Sequence, residues 1–199
     1  MTTLLHLNTS LFAAQGASHQ LSKELVQQLL KQSPASKVIY RDFAEQSVPH
    51  LDGHWLTAIS TAAHERSTEQ AEKAAYSDQL IKELQTADTL VIGLPMYNFG
   101  VPSMLKAWFD HVARAGTTFK YTETGPVGLL TNKKVYLVAT RGGIHKDQAS
   151  DIQIPFVKTF LNFIGLSDVE VIYAEGLNLS GDHRAQAFHT AREQIAALV

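Results

Sequence analysis

Short apolar runs alternate along this chain with longer stretches whose apolar residues recur every three or four positions. The first pattern belongs to buried strands and the second to amphipathic helices, so their alternation predicts a parallel sheet with crossover helices. Residues 4–7 read as a first buried strand and residues 8–16 as the loop after it. Ser18 is placed to cap a helix whose Leu21, Leu25, Val26, Leu29 and Leu30 share one face, and Pro34 ends it. A second strand is expected over 37–40, followed by a long irregular connection through Pro49, Asp52 and Gly53 toward Trp55 and Ile59. Ser67 and Gln70 have capping-box spacing and open a helix through Ala71, Ala74, Leu80, Ile81 and Leu84.

Residues 89–94 are continuously apolar, as a central strand covered on both faces requires. Pro102 is expected as the first residue of a helix carrying Met104, Leu105, Trp108, Phe109 and Val112 on one stripe. Residues 119–121 and 127–130 suggest a hairpin, 135–140 a fourth core strand, 154–164 a helix, 169–174 a fifth strand and 183–198 a closing helix. The whole of residues 1–199 therefore reads as a single α/β domain, doubly wound, with about five parallel strands and helices on both faces. Two wirings satisfy that pattern, the Rossmann order and the flavodoxin-like order, and both bind ligands beyond the carboxyl ends of the strands.

Composition narrows the chemistry. Lys and Arg (17) against Asp and Glu (19) leave a formal charge of -2, which lacks the basic footprint of a nucleic-acid binder. Cysteine is absent, so disulfides, thiolate nucleophiles, cysteine zinc sites and iron–sulfur clusters are excluded together. Redox chemistry would have to come from a bound organic cofactor. Residues 1–8 carry no basic leader and no apolar run long enough for a signal or membrane span, so a cytoplasmic location is expected.

Function is expected in the loops after strands one, three and four. The first, NTSLFAAQGAS, has neither the G-x-G-x-x-G fingerprint nor the P-loop motif. It does offer Thr9, Ser10 and Ser18 beside a helix N-terminus, where free N–H groups and the helix dipole favour a phosphate. No Lys or Arg lies between Asn8 and Ser22, so hydroxyls and dipoles alone would hold it; an ordinary helix cap is the alternative. The second loop, PMYNFG, brings Tyr97, Asn98 and Phe99, suited to flanking and edging a planar ring. The third, TRGGIH, brings consecutive glycines whose amides can approach a ring edge, with Arg141 and His145 at the rim; a tight turn is the alternative. Together the three describe a pocket for a mononucleotide with a flat head, and flavin mononucleotide (FMN) fits.

Other chemistries compete poorly. His50 and His54 have the spacing of a helical metal pair, but Asp52 and Gly53 between them suggest a loop and no third ligand has known spacing, so no metal is expected. A G-x-S-x-G nucleophile elbow is absent. Asn8 and Thr9 stand where a phospho-receiver would need acids.

The stretch ADTLVIGLPMYNFGVPSMLKAWFDHVARAGTTFKYTETGPVGLL, with TRGG at Thr140 and FLNFIGL and AEG near the end, resembles the FMN-dependent NADH-azoreductases, also called FMN-dependent NADH:quinone oxidoreductases, of the flavodoxin-like fold. The resemblance implies that Ser10, Gly16, Ala17 and Ser18 hold the FMN phosphate, although the family is richer in hydroxyls where Gly16 and Ala17 stand. It implies that Met96, Tyr97, Asn98 and Phe99 hold the ribityl chain and ring, and that Thr140, Arg141, Gly142 and Gly143 hold the pyrimidine edge. It further implies a homodimer with the active site at the subunit interface. Phe119, Tyr121 and Phe163 are then candidates for the substrate face, beside His145. The implied reaction passes two electrons from NADH or NADPH to quinones and cleaves aromatic azo compounds to amines, in two ping-pong steps with the flavin carrying the chemistry. A flavodoxin-like electron carrier docking to protein partners is the rival, against which the near-neutral charge weighs. A flavin-free interaction domain is a second rival.

Overall fold

The computed structural model describes residues 2–198. In chain order, β1 (Thr3–Asn8) leads into α1 (Ala17–Gln32), and β2 (Lys37–Asp42) into α2 (Gly53–Ser60) and α3 (Thr68–Thr86). Next come β3 (Thr89–Pro95), α4 (Ser103–Val112) and a hairpin of β4 (Phe119–Thr122) and β5 (Gly125–Gly128). The chain closes with β6 (Lys134–Thr140), α5 (Gln153–Phe163), β7 (Asp168–Ala174) and α6 (His183–Ala197).

The five long strands pair in parallel in the order β2-β1-β3-β6-β7, which selects the flavodoxin-like wiring over the Rossmann order. Alternate residues of the inner strands divide the core between the two faces. Leu90, Ile92, Leu137 and Ala139 face Leu80, Leu84, Trp108, Phe109, Val157 and Leu161 of α3, α4 and α5. Val91, Tyr136 and Val138 face Leu21, Leu25, Ala191 and Ile195 of α1 and α6. Period-2 alternation buried on both sides is what the continuous apolar runs required. The register pairs Asn8 with Gly93, Pro95 with Thr140 and Thr140 with Ala174, so the loops after β1, β3 and β6 leave the sheet along one edge.

Several local expectations are corrected. The N-cap of α1 is Gly16, and Ser18 lies inside the first turn with no capping bond. With Ser10 as placed here the cap has no room for a side chain, because a Cβ on Gly16 would stand 2.0 Å from the Ser10 hydroxyl oxygen and displace it. Pro102 is likewise the N-cap of α4 rather than its first residue; its carbonyl accepts the N–H groups of Leu105 and Lys106. The long connection after β2 contains α2, capped by Asp52 accepting from the Trp55 N–H, so His54 sits in a helix rather than a loop. Residue β2 pairing continues two positions past Tyr40, ending at Asp42 opposite Asn8. The second arm of the hairpin is β5, two residues earlier than its apolar pattern suggested, because Thr122 pairs with Gly125 across a tight turn.

The hairpin docks by close backbone approach. A Cβ on Gly128 would fall 2.1 Å from the Gly165 amide nitrogen at the end of α5, where no side chain can yield. Gly128→Ala should therefore lower stability by about 1–3 kcal/mol, read as a fall in the urea midpoint, by forcing the hairpin off α5. Gly53→Ala in the first turn of α2, where a Cβ would meet nothing within 4 Å, should raise stability by about 0.5–1 kcal/mol.

Candidate functional site

Where the three loops meet, a cleft of about 360 Å³ opens, a size suited to a small-molecule ligand. Ser10, Gly16, Ala17 and Ser18 line it from the first loop, Met96 and Tyr97 from the second, and Thr140, Arg141 and Gly142 from the third. Among the described residues no Asp or Glu lines it.

The end built by α1 is short of hydrogen-bond acceptors. The N–H groups of Ala17, Ser18 and His19 donate to nothing among the described residues, and the first intrahelical bond is Gln20 N–H to the Gly16 carbonyl. Ser18, 1% exposed, has a hydroxyl with no partner. A buried hydroxyl with three open amides on a helix N-terminus awaits an anionic acceptor. Ser10 is engaged otherwise: its hydroxyl oxygen accepts from the Phe12 N–H and shapes the loop.

Tyr97 joins the first loop to the second, its hydroxyl oxygen accepting from the Leu11 N–H. Within the second loop, Tyr97 and Gly100 exchange backbone hydrogen bonds around Asn98 and Phe99, whose φ angles of 49° and 65° are both left-handed. Such backbone is unfavourable for phenylalanine, and strain of this kind persists only where the surroundings hold it. Here Gln153 at the start of α5 holds it, donating from Nε2 to the carbonyls of Pro95 and Gly100. Phe99 stays 52% exposed, and its ring meets His145 edge-on at 5.7 Å.

The third loop is fastened by its carbonyls. Those of Arg141, Gly142 and Gly143 accept from the N–H groups of Leu177, Asn178 and Gly176, while the N–H groups of Gly142 and Gly143 donate to nothing among the described residues. The Arg141 guanidinium is fully buried and bound to Asp151 at 2.8 Å and Glu175 at 3.0 Å, so two carboxylates neutralise it. Its Nε has no partner among the described residues. Glu175 also accepts from the His145 and Lys146 N–H groups, tying the loop to the end of β7.

Not every expected residue lines the cleft. Asn98, Phe99, Gly143 and His145 stand beside it on lining loops, and His145 Nδ1 lies 2.9 Å from the Ser150 hydroxyl. Phe119, Tyr121 and Phe163 lie elsewhere, as an aromatic cluster between the hairpin and α5. Phe119 is 7% exposed within it, whereas Tyr121 is 74% exposed. Six further residues line the cleft that were not among the expected site residues: Phe12, Gln15 and Pro95 from the first two loops, and Leu177, Asn178 and Arg184 from beyond β7. Arg184, from the first turn of α6, brings a guanidinium to the cleft, where the local sequence of the first loop offers no cation. Its signal lay far from the loop it approaches, so no local pattern could reveal it.

Beneath the first loop lies a polar network. Asn8 donates from Nδ2 to Asp42 at 2.9 Å and accepts the Ser10 N–H on Oδ1, which fixes the start of the loop to the sheet edge. Burial pushes the Asp42 carboxyl up, but hydrogen bonds from Asn8, the Ala44 N–H and Tyr40 outweigh it and hold it below its usual range. Burial, then the bond to Asp42, pushes the Tyr40 phenol up to about 12. Ser22 donates to the His19 carbonyl and so accepts from His6 Nε2–H at 2.8 Å. Burial, followed by the charge of His19, lowers His6 to about 4, and burial also lowers His19. Among the described residues no group of three His, Asp or Glu side chains is arranged to hold a metal.

A family model for the flavodoxin-like fold matches residues 2–199. The chain is 53% identical over 195 residues to the FMN-dependent NADH:quinone oxidoreductase of Cellvibrio japonicus, covering 98% of this chain and 97% of that protein. It is 56% identical over 205 residues to the protein of the same name from Saccharophagus degradans, covering 99% and 93%. Among solved structures, an azoreductase from Bacillus anthracis superposes with a TM-score of 0.91 at 26% identity, covering 100% of this chain and 98% of that one. An FMN-dependent NADH-azoreductase from the same species, in complex with FMN, gives 0.87 at 25% identity, covering 100% and 99%.

The buried histidine has a measurable consequence. Between pH 6.5 and about 4 the unfolded chain binds a proton at His6 that the folded chain refuses, so stability should fall as pH falls through this window and level off below it. The contribution is about 3 kcal/mol, and His6→Gln should flatten the slope of urea unfolding free energy between pH 7 and pH 4 by about that much.

Proposed function

The chain belongs to the flavodoxin-like family and, by its relatives, to the FMN-dependent NADH:quinone oxidoreductases, and from that premise we propose that it binds FMN and passes two electrons from NADH or NADPH to quinones and aromatic azo compounds. Open donors at both ends of one carboxylate-free cleft carry this assignment. Ser10, Gly16, Ala17 and Ser18 take the phosphate. Met96, Tyr97, Asn98 and Phe99 take the ribityl chain and ring, and Thr140, Arg141, Gly142 and Gly143 take the pyrimidine edge. The residues present fit the group: the orphan Ser18 hydroxyl and the open amides match an anion, and the two open glycine amides match ring acceptors.

When bound, FMN supplies the two-electron chemistry that this cysteine-free chain has no thiol to provide. The protein positions and stabilises. The open N–H groups of Gly142 and Gly143 would donate to the ring edge and stabilise negative charge there, with little reorganisation because their carbonyls are already tied. Phe99 and His145, in edge-on contact beside the cleft, would border the place where a nicotinamide donor and an electron acceptor bind in turn, in a ping-pong order.

All of residues 1–199 act as one FMN-binding domain, paired as a homodimer. Leu11, Phe12, Phe99 and Ile144, exposed apolar side chains on the cleft loops, are the surface that a second copy covers. Tyr121, with Phe119 and Phe163 behind it, is the group that the second copy extends toward the substrate. Among the described residues no helix is long and apolar enough to cross a membrane, and we assign the reaction to the cytoplasm.

Purified protein loaded with FMN should oxidise NADH when a soluble quinone is added and should bleach an aromatic azo dye, both followed by absorbance. Flavin that binds but is not reduced by NADH would indicate an electron carrier instead. Replacing Ser10 and Ser18 together by alanine should weaken FMN at least about 100-fold, because each bond to a charged phosphate is worth about 1.5–3 kcal/mol. Gly16→Ala should weaken FMN while leaving the sheet intact, since its Cβ would drive the Ser10 side chain out of place.

A further inference from the structure

We propose that Arg184 is the cation that closes the phosphate end of the cleft, so that this chain distinguishes a phosphorylated flavin from its dephosphorylated form. The proposal rests on the FMN reading above and adds to it a residue 166 positions from Ser18 in sequence.

The register of two helices places it. α1 and α6 each follow a strand of one parallel sheet and pack on the same face, so they run in the same direction. Arg192 on α6 grips Glu24 on α1 through two hydrogen bonds of 2.9 and 2.8 Å. Arg184 lies eight residues before Arg192, and Gly16 lies eight residues before Glu24. At about 1.5 Å per residue both helices recede by roughly 12 Å over that interval, which brings Arg184 level with the cap of α1. In agreement, Arg184 lines the cleft together with Ser10, Gly16 and Ser18.

Its charge has no carboxylate partner. Arg184 forms no salt bridge among the described residues; its guanidinium lies 5.3 Å from the centre of the Phe188 ring, which Arg192 also approaches at 5.4 Å. The other arginine at the cleft, Arg141, is spent on Asp151 and Glu175. Arg184 also sits in the first turn of α6, where the helix dipole repels a cation; the turn itself holds no acid, and Asp182 at the N-cap forms no salt bridge with it. A free arginine in an unfavourable place, lining the same cleft as a buried orphan hydroxyl and open amides, is matched by a phosphate, which a guanidinium can bind through two parallel hydrogen bonds.

Flavin fluorescence titrations on flavin-free protein test this with two probes, FMN and riboflavin, at low and at raised salt. Arg184→Ala should raise the FMN Kd about tenfold or more at low salt, leave the riboflavin Kd unchanged and reduce the salt dependence of FMN binding. Arg184→Lys should fall between Arg184→Ala and wild type, because it keeps the charge and loses the paired geometry. The flavin-free Tm of Arg184→Ala should equal or exceed that of wild type. An unchanged FMN Kd, equal weakening of both flavins, or a lowered Tm that accounts for the loss would each overturn the role of Arg184 while leaving the FMN reading standing. A wild-type chain that binds neither flavin would overturn the FMN reading itself.

Discussion

A buried N–H or hydroxyl without an acceptor costs about 1–3 kcal/mol, and the carboxyl edge of this sheet gathers several of them in one place. Parallel topology is the reason. Every crossover helix on one face starts at the same edge of the sheet, so its unpaired first-turn donors face the loops that leave neighbouring strands. The loops are then fixed by one another rather than by their own sequence: Tyr97 takes the Leu11 N–H, Thr140 takes the Met96 N–H, and Glu175 takes two amides of the loop after β6. A site made of such cross-links has its geometry in place before a ligand arrives, which is the condition for binding without a large ordering penalty.

Strain and buried charge at this edge are balanced by particular residues. Asn98 and Phe99 adopt left-handed backbone because Gln153 clamps the carbonyls on either side of their turn. Arg141 can be fully buried because two acids meet it, and losing either would leave a buried charge incompletely paired, a loss of several kcal/mol. The terminal nitrogens of its guanidinium thereby anchor the strand end whose glycine amides are left open, while its Nε–H stays unpaired at the cleft. The same division recurs under the first loop, where Asp42 is occupied in holding Asn8 and Asn8 in holding Ser10.

Much of this was legible in the chain. The apolar runs located all five sheet strands, and the loops after β1, β3 and β6 were the ones that converge. What was illegible was set by tertiary contact. Ser18 has the chemistry of a cap, yet Gly16 takes that position because Ser10 leaves no room for a Cβ, and this releases the Ser18 hydroxyl into the cleft. β2 runs on to the polar Asp42 because Asn8 supplies a partner that hydrophobic periodicity cannot register. α2 is short, with Ala58 its single buried residue and Leu56 exposed, so its pattern did not rise above that of a loop. Arg184 entered through the packing of α6 on α1, which no window of local sequence contains.

Net charge was also a poor guide to the electrostatics of the cleft, for a reason the structure makes plain. A formal charge of -2 sums the whole chain, whereas the potential in a cleft depends on where the carboxylates are spent. Asp151 and Glu175 are consumed by Arg141, Glu24 by Arg192, and Asp42 sits on the far side of the first loop among neutral donors. What remains facing the cleft is one uncommitted guanidinium, a helix N-terminus and open amides, all of one sign. A chain that is slightly acidic as a whole thus lines this cleft with donors and, among the described residues, no carboxylate, and it does so by distributing its acids rather than by adding bases.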